Sequence, residues 1–173
     1  MPNSFSVTPD LYATKGNRFT NYLIDIIFIV VVFLAFIFVS SYLYYSYAED
    51  TSVVDTYLNE VETVNPFLDR LITSVGLALI YFTLEFLTKG RSIGKFITKT
   101  RVVLEDGSNP TALDYLKRSF SRIIPFEAFS FLGAEGRGWH DTISKTYVVD
   151  IARFDAKKVA EDQLDQIGVA QDA

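Results

Sequence analysis

Seven charged residues sit where charge is costly. Arg18 and Asp25 flank the entry to an apolar run, Glu85 lies inside a second one, and Lys95, Arg118, Arg122 and Asp141 follow in a mixed region. Arg18 and Asp25 are close to two helical turns apart, so both point to one helix face, yet about 10 Å of axial rise separates them. They cannot satisfy each other. An ionised carboxylate at the depth of Asp25 costs about 2.5–3.5 kcal/mol on insertion scales, so it needs a partner from elsewhere in the chain. Lys95, Arg118 and Arg122 are the candidates, their long side chains able to reach inward. Arg18, nearer the surface, can meet Asp141 or Glu85. Glu85 itself is placed to snorkel toward the interface, with Tyr81 one turn before it as a hydroxyl donor.

The elements that must position these groups follow from hydropathy. Of 173 residues 49% are hydrophobic, and from Ile26 to Tyr47 the chain carries no formal charge. At about 1.5 Å per residue a helix of that length spans roughly 33 Å, a bilayer core. The run is too long and begins too late for a secretory signal peptide. A second segment, LITSVGLALIYFTLEFL, is preceded by Asn65-Pro66, an N-cap followed by proline at the first helical position. Two transmembrane helices, about 21–46 and 66–88, are therefore expected.

The net charge of −5 hides an asymmetry. Residues 48–65 and the start of the second span carry Glu49, Asp50, Asp55, Glu60, Glu62 and Asp69 against Arg70, whereas Lys15, Arg18, Lys89, Arg91, Lys95, Lys99 and Arg101 flank the other ends. The positive-inside rule places both termini in the cytoplasm and residues 48–65 outside, in an inner membrane. Val54, Tyr57, Leu58, Val61 and Val64 recur at helical intervals and predict an amphipathic helix over about 52–64.

Residues 89–151 predict a cytoplasmic cap. TRVVLEDG and TYVVDIARF read as strands that pair in a small two-stranded ribbon. TALDYLKRSFSRII, between them, reads as an amphipathic interfacial helix, with Leu113, Leu116, Phe120, Ile123 and Ile124 on one side. Its other side carries Lys117, Arg118, Ser121 and Arg122, set toward anionic headgroups. IIPFEAFSFL, residues 123–132, is too short to cross and reads as re-entrant or interfacial. The tail, 152–173, is polar and acidic; from Asp155 it has no anchor, which predicts fraying helix or disorder.

Enzymatic chemistry finds little support. There is no cysteine, which excludes disulfides and thiolate zinc sites. His140 is the only histidine and no Gly-x-Ser-x-Gly occurs, so neither a serine hydrolase nor a histidine-based metal centre is indicated. GRSIGK fails as a phosphate-binding loop, because Phe96 stands where magnesium needs a hydroxyl. Gly90 and Gly94 read as structural, one capping the second span and the other allowing close backbone approach. Trp139 and His140 read as interface anchors, with Asp141 capping or clamping the last element. No cofactor, nucleotide or nucleic acid is expected, and the partners are the bilayer and another membrane protein or further copies of this chain.

Three blocks, RFTNYLID, GRSIGKFITKTRVV and GWHDTISKTYVVD, together resemble the RDD family of small membrane proteins, named for an arginine and two aspartates. The resemblance covers about residues 13–151 and maps those residues onto Arg18, Asp25 and Asp141. Where other members carry a longer apolar segment this chain has only IIPFEAFSFL. The resemblance implies an integral membrane fold, and cation or proton exchange has been proposed for some members. The expected architecture is mainly α: two transmembrane helices, amphipathic interfacial helices and the ribbon. The expected function is non-enzymatic association, as an accessory or assembly subunit of a membrane complex or as a homo-oligomer. A cation/proton exchange subunit working through Asp25 and Glu85 is the alternative.

Overall fold

The computed structural model describes residues 5–48, 52, 54, 56, 65–133 and 136–171. Helix α1 runs Lys15–Tyr47, started by Thr14, whose hydroxyl accepts from the Asn17 amide at 3.1 Å. It begins earlier than hydropathy predicts because this cap adds two polar turns before the apolar run. Helix α2, Pro66–Leu87, is capped by Asn65, whose side chain accepts from Phe67 N at 2.9 Å. Both are long and apolar enough to cross a membrane, and their apolar windows are almost wholly exposed. The helix expected over 52–64 lies, apart from residues 52, 54 and 56, outside the described residues.

Past α2 come helix α3 (Ile93–Ile97), strand β1 (Thr100–Val103), helix α4 (Ala112–Ser121), a 3-10 turn (Glu127–Leu132), helix α5 (Trp139–Ile143), strand β2 (Tyr147–Asp150) and helix α6 (Ile151–Gln171). The strands pair antiparallel, Thr100 opposite Asp150 and Val103 opposite Tyr147. The N-terminal segment extends the ribbon: Tyr12 bridges Val149, and Ala13 N donates to Val148 O at 2.8 Å. Val7, Leu11, Val103, Val149 and Phe154 form a small apolar core on one face, and Ala13, Val102 and Val148 a second cluster.

The cap contains an internal duplication. GRSIGKFITKTRVV (90–103) and GRGWHDTISKTYVV (136–149) align without a gap, and each forms a short helix, a left-handed lysine and a strand. Gly90 (φ +90) matches Gly136 (φ +66), and Lys99 (φ +55) matches Lys145 (φ +53). Val102 faces Val148 across the ribbon, and these are equivalent positions in the two copies. A local two-fold axis therefore passes between them.

Three expectations are corrected. The segment 146–154 is not strand throughout: β2 ends at Asp150 and α6 begins at Ile151. The tail does have an anchor, because Phe154 is fully buried, while Arg153 donates to the Asp10 and Tyr12 carbonyls and Lys157 to the Ser6 carbonyl. Helix α4 keeps its apolar side outward, as an interfacial helix does, but its basic side does not face headgroups: Arg118 and Ser121 are turned into the protein. Tyr115, Arg118, Ser119 and Ser121 are buried, whereas Leu113, Leu116, Phe120 and Ile124 are exposed. A polar face turned inward is the stable orientation where the surroundings are apolar and the partners inside are charged.

A polar centre at the junction of the long helices and the cap

Only polar residues of α1 are buried, namely Arg18, Asn21 and Asp25. Their i, i+3, i+7 spacing draws one stripe along the helix. The same spacing on α2 buries Ala78, Tyr81 and Glu85. The short cap helices dock on these stripes, α3 against α1 and α4 against α2. Gly94 makes the first docking close: a Cβ there would lie 2.5 Å from Asn21 O. The Asn21 amide lies between the Thr98 and Thr100 hydroxyls, 2.5 and 3.1 Å away. Gly90 turns the chain out of α2 with its N–H donating to Glu85 O at 2.7 Å.

Glu85 is the hub. It is fully buried, so it does not snorkel to a surface as its position suggests. Lys95 donates to its Oε1, Arg122 Nη2 lies 3.4 Å from the same oxygen, and Arg118 Nε lies 3.1 Å from Oε2. Tyr81 does not serve it: the Tyr81 hydroxyl is buried without a protein hydrogen-bond partner, and its ring lies under the Arg122 guanidinium, 4.4 Å from the centroid. Arg118 also reaches Asp141 Oδ1 and Thr146 Oγ1, the latter at 2.9 Å. Asp141 Oδ2 accepts from Arg18 and from Gly138 N at 3.0 Å.

Asp25 finds neither Lys95 nor the α4 arginines. Its Oδ1 accepts from the Gly94 backbone N–H at 2.8 Å, at the start of α3, and no cation among the described residues pairs with it. His140 is not an interface anchor. It is buried, with Nδ1 against Glu127 Oε1 and Nε2 3.2 Å from Asp141 Oδ1, while its neighbour Trp139 is half exposed. Glu127, in the segment read as re-entrant or interfacial, also accepts from His140 N at 3.2 Å and Ser130 Oγ at 3.3 Å. Arg18, Lys95, Arg118 and Arg122 thus stand against Asp25, Glu85, Glu127 and Asp141, equal in number. Desolvating so many charges is costly, and such a centre persists only when nearly all are paired.

The titration behaviour of the cap residues follows from this pairing. Burial works against the charge of Asp141, but Arg118 and Arg18 outweigh it and hold its carboxyl well below the usual range. Glu127 opposes burial with its His140 hydrogen bond and comes down to about 2. Burial lowers Lys95 to about 8, with Glu85 resisting and the two arginines assisting. His140 is likewise lowered by burial, against the pull of Asp141. Asp141 and Glu127 are therefore each held charged by a partner already in place.

Asn21, Thr146 and Glu127 were not singled out from sequence as members of this centre. The α1 stripe and the duplicated Thr-Lys-Thr/Ser-Lys-Thr were the available signals: Thr100 and Thr146 are equivalent, and both are fully buried. Among the described residues no cluster of His, Asp and Glu could hold a metal ion.

Two helices of membrane length, joined at one end to a ribbon cap through buried ion pairs, define a small membrane-type protein with a buried polar centre. The chain belongs to the RDD family, whose model matches residues 12–145. No curated protein and no solved structure matches it.

Proposed function

We propose that this protein is a non-enzymatic, two-span inner-membrane protein, termini in the cytoplasm, that works by association with a membrane complex or with further copies of itself. The observation that carries this reading is the closure of the polar centre. Glu85 is held by three cations and Asp141 by two arginines, so neither carboxylate is free to load and release an ion. The centre locks the cap to the spans, and the contact surface lies elsewhere, among the exposed aromatic side chains of α1, with Phe38, Tyr42 and Tyr45 on one side of the helix and Phe33 and Phe36 on the other. Aromatic side chains of this kind supply area and geometric preference for helix association.

One residue favours the second reading, cation/proton exchange. Asp25 is buried, borders a cleft with Arg18, Lys95 and His140, and has a backbone N–H as its hydrogen-bond partner. Purification in mild detergent, followed by a liposome flux assay, separates the two readings. Association predicts a co-purifying partner or a defined oligomer and no pH-gradient-driven cation flux. A flux abolished by Asp25→Asn, in protein that inserts and assembles normally, overturns it.

A further inference from the structure

A second cavity, of about 150 Å³, opens between the two long helices above the polar centre. Its walls are mostly apolar, with Ile26 from α1 and Leu77 and Ala78 from α2 beside Ser74, and its floor is formed by Tyr81, Arg122 and Glu127. Ile26 and Leu77 are half-buried, so the cavity reaches the flank of the helix pair. Two donors at the floor have no hydrogen-bond acceptor among the described residues: the Tyr81 hydroxyl, on a side chain 5% exposed, and Arg122 Nε. Buried donors are almost always satisfied, so an unmatched pair lining one cavity points to an acceptor supplied by a ligand. Glu127 adds the opposite charge on the same floor. Arg122 and Glu127 come from the cap, and Tyr81 lies within the last two turns of α2, so the floor sits at headgroup depth and the walls at acyl depth.

We infer that this cavity is a binding site for one zwitterionic phospholipid with a primary ammonium, of the phosphatidylethanolamine type. The phosphate accepts from the Tyr81 hydroxyl and Arg122, the ammonium meets Glu127, and an acyl chain lies along Ile26, Leu77 and Ala78. A purely anionic headgroup would face Glu127 without compensation, and a trimethylated one has no N–H to donate. The inference rests on α1 and α2 being spans, and not on whether the protein acts by association or by exchange.

The test uses the full chain in mild detergent, delipidated by exchange and titrated by native mass spectrometry with phosphatidylethanolamine, phosphatidylcholine, phosphatidylglycerol and free phosphoethanolamine. One phosphatidylethanolamine is expected to bind in preference to the other three. Tyr81→Phe, which removes an unpartnered hydroxyl and keeps the ring, should weaken it about tenfold, the loss of one good hydrogen bond. Ser74→Phe, filling the cavity from the α2 wall, should abolish retention while the elution profile stays that of the wild type. Equal binding of the choline and ethanolamine lipids overturns the headgroup assignment, and equal binding of free phosphoethanolamine overturns the membrane source. Undiminished binding by both variants overturns the site itself, while leaving the association reading where it stood.

Discussion

In the first copy of the cap repeat, Lys95 carries a positive charge inward to Glu85; in the second, Asp141 occupies the equivalent position and carries a negative charge to Arg18 and Arg118. The residue before each differs in the same sense. Gly94 has no side chain and lets α3 touch the backbone of α1, whereas His140 fills the corresponding space with an imidazole set between Glu127 and Asp141. The backbone device is shared, down to the left-handed lysine that ends each short helix. One scaffold, used twice, thus delivers opposite charges to one polar centre, and the centre is neutral because the copies diverged.

The largest effect should come from the charge itself. Asp141→Ala leaves Arg18 without any ion-pair partner and Arg118 with Glu85 alone; unfolding in detergent should show a loss of about 3–5 kcal/mol. Lys95→Ala leaves Glu85 with both arginines, so its loss should be smaller, about 1–3 kcal/mol. Equal losses would mean that the two copies contribute symmetrically, contrary to the contacts. Next comes the close approach: Gly94→Ala should cost about 1–3 kcal/mol by forcing α3 off Asn21, measured as a lower melting temperature with the secondary structure intact.

Acid should act mainly around the second copy, on Asp141 within it and on Glu127, which pairs with its His140. Asp141 and Glu127 are both depressed, Glu127 from 4.5 to about 2. In that window the unfolded chain binds more protons than the folded one, so the stabilisation is complete above about pH 4.5 and is lost as pH falls. The melting temperature should drop through this range, and less steeply in Glu127→Gln. The smallest effect tests what the copies share. Lys99→Gly and Lys145→Gly each relieve a left-handed backbone at some entropic cost, and each should gain about 0.5–1 kcal/mol. A gain at one site only would show that the matching dihedral angles do not reflect matching strain.

Much of the frame was legible in sequence, because it depends on local rules. The Asn65-Pro66 start, the uncharged run of α1, the β-branched strands and the choice of Asp141 or Glu85 as partner of Arg18 follow from composition, capping and charge, and the structure selects Asp141. What escaped depends on surroundings that a linear reading must assume. From sequence the basic side of α4 is set toward anionic headgroups, because that holds for an isolated interfacial helix; buried carboxylates from α2 and α5 draw Arg118 inward instead. Asp25 was assigned a cation because a carboxylate in an apolar run needs one, whereas an amide N–H brought close by Gly94 meets it instead. His140 and Trp139 were treated alike from adjacency, although successive helical positions face directions about 100° apart.

The outward apolar face of α4 also limits how the protein can be divided. A fragment covering only the cap would present Leu113, Leu116, Phe120 and Ile124 to water and would lose Glu85 and Arg18, the counter-charges that make its interior tolerable. The cap is therefore not a soluble head on a membrane stalk, and severing it at Gly90 should yield aggregate rather than a domain. Cap and helices thus share one buried polar interior, which neither completes alone.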